Sequence, residues 1–296
     1  MSNRYQGPNE KVTPQWKDVN VDHTYIPSYN QAPSRSLPVL ATISTLDNKT
    51  ENSERSVCPM LWGLVPFWHK GNPMDTTYKT FNCRADGIRE KSSYRVAFSK
   101  GRRCVVLSDG FFEWKKVNGQ KEPYFIYFPQ PKKVSMSERK WTSEEEEMWD
   151  VDGEWRGPRL LTIAGIYDIW KSPKDGHLLY SFTIITVGAS NEMKWLHDRM
   201  PAVLDGEETV NMWLDSENVS PEEALTLLKP AENLEWHRVS TVVNSSKNNT
   251  LECVLPLRES KATPKNTLTK WLSMSKRKTV KKEGEEQSPS KKIKTE

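Results

Sequence analysis

Cysteine and histidine offer this chain its widest choice of chemistry, because they serve as nucleophiles, acids, bases or metal ligands. The four cysteines form no CxxC pair: Cys58, Cys83, Cys104 and Cys253. Four of the five histidines follow no ligand spacing: His23, His69, His177 and His237. We therefore predict neither a metal site nor a cofactor, and we interpret the cysteines as buried or free thiols of a reducing compartment.

Other polar residues that could do chemistry also have ordinary structural explanations. Glu113 before Trp114 could be a carboxylate at a strand end, and Asn82 could be a turn residue. His197 could end a surface helix, where the helix dipole favours a cation. Arg84 could pair with Asp86 or Asp109, and tryptophans are more often core residues than base-stacking ones.

Four segments, taken in order, carry a specific resemblance. They read WGLVPFW at 62–68, FNCRAD at 81–86, GRRC to DGFFEW within 101–114, and LHDRMP at 196–201. Together they resemble the SOS-response-associated peptidase family from about residue 27 to residue 256. Members of this family crosslink themselves to abasic sites in single-stranded DNA. The resemblance implies one domain with a mostly antiparallel, barrel-like β core flanked by helices.

The resemblance assigns roles to named residues. Glu113 would handle the proton of an N-terminal amine, and His197 would act as general acid or base when the sugar ring opens. Asn82 would orient the nucleophile. The DNA contacts would come from two arginines that hold phosphates and two tryptophans that stack on unpaired bases: Arg84, Arg199, Trp68 and Trp114.

The family nucleophile is a cysteine that becomes N-terminal when the initiator methionine is removed. Its amine forms an imine with the aldehyde of the opened sugar, and its thiol then closes a thiazolidine. This sequence begins Met1-Ser2, and none of its four cysteines can become N-terminal in that way. The spacing to Trp16 suggests that an opening segment of the family is missing, through a misplaced start or as a natural short form.

Strands must position most of these residues. Runs rich in β-branched and aromatic residues predict strands at 103–107, 124–128, 160–169, 182–187 and 239–243. A capping box at Ser220 predicts a helix, a second is expected from Asp205 to Leu214, and a third from Asn191 through His197. Strands that dominate with irregular helices between them favour an α+β fold.

Composition divides the chain. We predict a folded domain over 1–258, with a mobile acidic insertion at 129–158, and a disordered basic tail over 259–296. The tail carries 11 basic and five acidic residues, a net charge of +6, whereas the whole chain is +4. Any DNA-binding surface of the domain must therefore be a local patch. No apolar run approaches the length of a membrane span.

The tail also contains a candidate partner motif. Leu268, Trp271 and Leu272 would share one face of a helical turn. The pattern resembles a degenerate motif for docking on the replication sliding clamp, although Lys265 replaces the usual glutamine. The basic runs that follow suggest nuclear import. A solvated tail in which Trp271 is incidental explains the residues equally well.

Three functions remain in competition. The first is a DNA-damage protein, located on chromatin at replication forks, that shields abasic sites through a covalent link, with lyase and peptidase aspects. The second is a non-catalytic reader of single-stranded or hydroxymethylcytosine-containing DNA, which the missing cysteine favours. The third is a replication or chromatin adaptor that acts through the tail.

Overall fold

Long apolar runs form the strands that build the centre of the molecule. The computed structural model describes residues 14–42, 55–131 and 157–257. Its strands are β1 Gln15–Trp16, β2 Ser36–Thr42, β3 Arg55–Trp62, β4 Asn82–Arg84, β5 Arg103–Ser108, β6 Phe111–Val117, β7 Gln120–Tyr127, β8 Leu161–Lys171, β9 Leu178–Gly188, β10 Arg199–Pro201 and β11 Glu235–Arg238. Its α-helices are α1 Met74–Thr80, α2 Arg95–Ser99, α3 Glu207–Leu214 and α4 Pro221–Thr226. Short 3-10 helices cover Ala85–Gly87, Thr241–Asn244 and Leu251–Cys253.

Five strands close into a barrel in the order β3-β2-β5-β8-β9. The pairs β3–β2, β2–β5, β5–β8 and β8–β9 are antiparallel. The barrel closes where Leu61 and Trp62 of β3 pair in parallel with Ser181 and Phe182 of β9. Closure removes the exposed strand edges that would otherwise favour aggregation. The predicted α+β fold with a mostly antiparallel, barrel-like core is confirmed.

Strand β9 is long enough to pair beyond the barrel. Its C-terminal part has β4 in parallel along one edge, where Arg84 is opposite Thr186. Its other edge carries β10 in antiparallel orientation, where Pro201 is also opposite Thr186. A separate antiparallel sheet has the order β11-β7-β6.

Most of the buried side chains form one core inside and around the barrel. Trp213 of α3 is fully buried and donates from Nε1 to the Cys104 carbonyl at 2.9 Å, which satisfies its only polar atom. A smaller core lies under the three-stranded sheet and contains Phe125, Val239 and Val243. Glycine is required at position 110, between β5 and β6, because a Cβ there would lie 2.4 Å from the Ile126 carbonyl oxygen.

The strand predictions at 103–107, 124–128, 160–169 and 182–187 agree with β5, β7, β8 and β9 to within a few residues. The strand predicted at 239–243 is wrong. Strand β11 ends at Arg238, and Ser240 then caps a 3-10 helix by accepting from the Val242 N–H at 3.4 Å.

Two of the three predicted helices are present. Helix α3 ends at Leu214 as expected, and the Ser220 side chain caps α4 by accepting from the Glu223 N–H at 3.2 Å. The helix expected from Asn191 through His197 is wrong. That stretch forms consecutive turns, because the chain must extend at Arg199 to pair with β9.

The acidic insertion and the tail fall almost entirely outside the described residues, so the predicted domain boundaries stay predictions. Within the described ranges, no helix is both long and apolar enough to cross a membrane.

Candidate functional site

An open cleft of about 740 Å³ lies between the barrel and the three-stranded sheet. It brings together six of the seven residues predicted from the resemblance: Asn82, Arg84, Glu113, Trp114, His197 and Arg199. These residues come from three separate stretches of sequence, so only the fold can bring them together.

The barrel wall of the cleft follows from strand alternation. Paired residues point to the same face of a sheet, and so do residues two apart along a strand. Asn82 and Arg84 on β4 therefore share a face with Thr186 of β9, while Cys83 between them is buried. Pro201 on β10 is also opposite Thr186. Arg199 is two residues before Pro201 on the same strand, so it lies on the same face.

Two arginines dominate the electrostatics of this wall. Arg84 donates from Nε and Nη2 to the two oxygens of Asp86, at 3.1 and 2.7 Å. This pairing raises the pKa of Arg84 and lowers the pKa of Asp86. Arg199 donates from Nη2 to the Thr186 carbonyl at 2.6 Å, and the same nitrogen lies 3.8 Å from the Asp86 carboxylate.

His197 lies in the turn before β10. Its Nδ1 accepts from the Arg199 N–H at 3.1 Å, and Asp198 Oδ1 is 3.0 Å from the same nitrogen. When Nδ1 accepts, the proton of the neutral ring is on Nε2. When the ring is protonated, Asp198 becomes its ion-pair partner. The turn thus holds the His197 ring from its Nδ1 side.

The opposite wall belongs to β6, the edge strand of the three-stranded sheet. Glu113 accepts from the Trp114 N–H through Oε1 at 3.0 Å. The Trp114 ring donates from Nε1 to Asn244 Oδ1 at 2.7 Å, which ties β6 to the 3-10 helix Thr241–Asn244. Glu113 and Trp114 both line the cleft, although as neighbours on one strand they point to opposite faces of β6, and Trp114 packs with Phe112 against the smaller core.

Trp68 is the one predicted site residue that does not line the cleft. It lies in the loop after β3 and is 48% exposed. Two side chains of β8 hold this loop: Asp168 accepts from the Phe67 N–H at 2.9 Å, and Trp170 donates to the His69 carbonyl at 2.7 Å.

Residues that sequence reasoning did not assign to the site also contribute to the cleft. Thr186 anchors Arg199, and its strand pattern alone does not distinguish it from other residues of β9. Asn30 is buried and donates to the carbonyls of Val243 and Ser245 at 3.1 and 3.0 Å. It thereby fixes the segment around Tyr29, which lines the cleft. Asn30 lies within the span, from about residue 27 to residue 256, over which the sequence resembles the family, so the resemblance could have drawn attention to it.

All four cysteines are buried and outside the cleft lining. Burial raises the pKa of the Cys58 and Cys83 thiols to about 12 and that of Cys104 well above its usual value. At neutral pH these three groups are therefore thiols rather than nucleophilic thiolates. Across the described part of the chain, no group of three or more His, Cys, Asp or Glu could hold a metal ion.

Comparison with known proteins gives a consistent result. A family model described as SOS response associated peptidase (SRAP) matches residues 2–246. The chain is 49% identical over 258 residues to the Gallus gallus abasic site processing protein HMCES, covering 85% of this chain and 74% of that protein. It is 33% identical over 232 residues to the Bacillus subtilis abasic site processing protein YoqW, covering 78% and 86% respectively.

The fold also has a counterpart among solved structures. A crystal structure of a Bacteroides thetaiotaomicron protein superposes with a TM-score of 0.56 at 27% sequence identity. The superposition covers 76% of this chain and 82% of that one.

Proposed function

Since the chain belongs to the SOS response associated peptidase family, we propose that it recognises abasic sites in single-stranded DNA and processes them in the cleft. The relatives described above are named abasic site processing proteins. The observation that carries the proposal is the convergence of two arginines, a carboxylate, a histidine, an amide and an indole on one cleft.

Each group supplies what an abasic single strand requires. Arg84 and Arg199 lie on one wall, where guanidinium groups bind phosphates of the flanking nucleotides. Trp114 offers a ring on which an unpaired base can stack. Glu113 and His197 can accept or donate the protons that move when the sugar ring opens and an amine attacks its aldehyde.

The covalent step needs an aminothiol in the cleft. An amine and the sugar aldehyde form an imine and release water, and a thiol then adds to the imine carbon to give a thiazolidine. Each of the four cysteines is buried within the fold, so none can supply this thiol in the folded protein. The residues at the opening of the chain, including Ser2, lie outside the described residues. Crosslinking thus depends on a form that begins with cysteine.

Binding tests the first part of the proposal. We expect the full chain to bind a single-stranded oligonucleotide with a tetrahydrofuran abasic analogue more tightly than the same oligonucleotide paired in a duplex. The analogue has no aldehyde, so the measurement reports binding without chemistry. Equal affinity for single strand and duplex would contradict the proposal.

Crosslinking tests the second part. A natural abasic oligonucleotide should give no heat-stable adduct with the chain as printed, and a robust adduct with a form that begins Met-Cys. The readout is a denaturing gel after heating. A heat-stable adduct from the printed chain would show that the thiol requirement is wrong.

A non-catalytic reader of single-stranded or hydroxymethylcytosine-containing DNA is the second candidate, and the four buried cysteines favour it for the printed chain. Competition between matched oligonucleotides with cytosine, hydroxymethylcytosine or the abasic analogue separates the two. A reader of the modified base would prefer hydroxymethylcytosine, whereas an abasic-site protein would prefer the analogue.

The tail, which lies outside the described residues, supports a further proposal of nuclear location at replication forks. A peptide with Leu268, Trp271 and Leu272 should bind the replication sliding clamp weakly, because a short free peptide loses conformational entropy on binding. Trp271→Ala should abolish binding and Thr267→Ala should not. Titration of a labelled peptide checks this, and equal binding by the Trp271 variant would leave the tail as a basic targeting segment.

A further inference from the structure

We propose that Asp86 is a built-in counter-ion for Arg84 and Arg199, which a DNA phosphate must displace, so that this one carboxylate limits the affinity for single-stranded DNA. The inference rests on the proposed function, because it assumes that the two arginines bind phosphate. On this proposal, the Asp86 carboxylate occupies in the free protein the position at the arginines that a DNA phosphate occupies in the complex.

The contact with Arg84 already has the geometry of an anion complex. Both oxygens of Asp86 accept from one edge of the guanidinium, at 3.1 and 2.7 Å. A phosphate uses this bidentate arrangement when arginine binds it. Asp86 therefore competes for the donors that a phosphate would engage.

The contact with Arg199 makes the carboxylate a shared one. Asp86 Oδ1 lies 3.8 Å from Arg199 Nη2, the nitrogen that also donates to the Thr186 carbonyl. Strand pairing fixes Arg84 and Arg199 on opposite edges of β9. One carboxylate between two fixed cations neutralises part of the charge that would attract DNA. The lowered pKa of Asp86 agrees with this, because its main cause is the hydrogen bond from Arg84 and Arg199 contributes to it.

The contact is also exposed enough to be exchanged. The side chains of Arg84 and Asp86 are 57% and 60% exposed. Ion pairs of this kind contribute little to stability, because water screens them. Loss of the pair should therefore leave the fold intact. The negative charge, however, stays close to any phosphate that Arg84 binds and opposes it.

The experiment replaces Asp86 by asparagine in the full chain. We expect Asp86→Asn to bind the single-stranded tetrahydrofuran oligonucleotide roughly three- to tenfold more tightly at low salt, because the like-charge repulsion is removed. The dependence of log K on log salt should steepen by up to about 0.7, as for one additional phosphate contact on a single strand. Fluorescence anisotropy over a range of salt concentrations measures both quantities.

Two variants serve as controls. Asp175→Asn changes the net charge equally, but Asp175 lies in the turn between β8 and β9, where the ionisable group beside it is His177 and not an arginine of the cleft. It should change binding much less than Asp86→Asn. Asp86→Glu keeps the charge and should bind no more tightly than the unmodified protein.

A double variant tests whether the effect passes through Arg84. In the Arg84→Ala background, Asp86→Asn should gain at most half as much affinity, on a logarithmic scale, as in the unmodified protein. Unchanged or weaker binding by Asp86→Asn alone would overturn the inference and make Asp86 a residue that orients the arginines. If Arg84→Ala still weakens binding in that case, the proposed function stands. If the unmodified protein does not bind the oligonucleotide, the proposed function itself fails.

Discussion

The two walls of the cleft hold their functional side chains in different ways. On the barrel wall, β4 and β10 pair with opposite edges of β9, a strand of the closed barrel, so Arg84 and Arg199 are each anchored to the barrel through one strand pairing. On the other wall, Glu113 lies on β6, which pairs with β7 alone. One wall is cationic and attached to a barrel strand, whereas the other carries a carboxylate on the edge strand of a separate three-stranded sheet.

This difference suggests that the two walls have different functions, one in binding DNA and the other in proton transfer. Arginines that bind phosphates contribute most when their positions are fixed in advance, because ordering them then costs no free energy on binding. A proton-transfer group must instead reach an atom that moves during the reaction. The barrel wall should therefore determine DNA affinity, and Glu113 should determine the rate of the covalent step, together with His197 at the rim of the barrel wall.

The largest effect is expected for the proton-transfer pair. In a form of the protein that begins with cysteine, Glu113→Gln or His197→Gln should slow crosslinking about a hundredfold or more, the usual contribution of a positioned acid or base. Affinity for the tetrahydrofuran oligonucleotide should stay within a few fold. Single-turnover crosslinking on denaturing gels measures the rate.

Glu235→Gln is the matched control, since Glu235 lies in the same sheet and does not line the cleft. It should crosslink at the rate of the parent protein. If both site variants crosslink at the rate of the parent protein, with folding verified by circular dichroism, Glu113 and His197 do not determine the rate of the covalent step.

A smaller effect is expected for the arginines, and it should appear in binding. Arg84→Ala and Arg199→Ala should each weaken binding to single-stranded DNA roughly ten- to a hundredfold, since charge-assisted contacts contribute roughly 1.5–3 kcal/mol. Each should lower the salt slope by about 0.7, with little dependence on base sequence. Anisotropy titrations with several oligonucleotides test both expectations.

Arg89→Ala is the control for net charge, because Arg89 pairs with Glu222 at 3.1 Å and does not line the cleft. Arg199→Lys keeps a cation on β10 and should retain part of the affinity. If the salt slope is unchanged in both alanine variants, DNA follows another path over the protein.

The sequence predicted the α+β class and the barrel strands β5, β8 and β9, because β-branched and aromatic runs such as those of β8 and β9 have few alternatives. It missed the barrel strands β2 and β3. It did not predict the strand partners. β9 pairs with four strands from separate parts of the chain, and such long-range pairing leaves little trace in local composition. The failed helix before His197 has the same cause, since pairing of β10 with β9 overrides the local helical pattern.

The candidate site was predicted through the resemblance and not through residue types. Glu113, Asn82 and His197 each have an ordinary structural explanation when taken alone. The same alternation that turns Asn82 and Arg84 toward the cleft turns Cys83 into the core, and this was readable once β4 was known to be a strand. The position of Asp86 between the two arginines could not be predicted from the sequence, because it depends on Arg199, which is more than 100 residues away in sequence.

The smallest expected effect concerns how the two walls respond to acid. His237 on β11 lies between Tyr127 Oη, 3.3 Å from its Nδ1, and the Val254 carbonyl, 2.8 Å from its Nε2. Burial lowers the pKa of His237, although the Val254 carbonyl acts in the opposite direction. A histidine whose pKa is lowered by folding stabilises the protein while it is neutral. That stability is fully present above its unfolded pKa and is lost as the pH falls through its folded pKa.

We therefore expect acidification from pH 7 to pH 5 to lower the Tm more in the unmodified protein than in His237→Gln, by on the order of 2 °C. Amide exchange should accelerate first in β7 and β11, because the half-buried His237 ring must open this sheet to become charged, while exchange in the barrel strands stays slow. His177→Gln is the control for loss of a histidine side chain, since His177 is exposed in the turn between β8 and β9, and it should leave amide exchange in β7 and β11 unchanged. Equal acid sensitivity of β9 and β11 by exchange would mean that the two walls open together, and the rigid cationic wall would then be no more resistant than the sheet it faces.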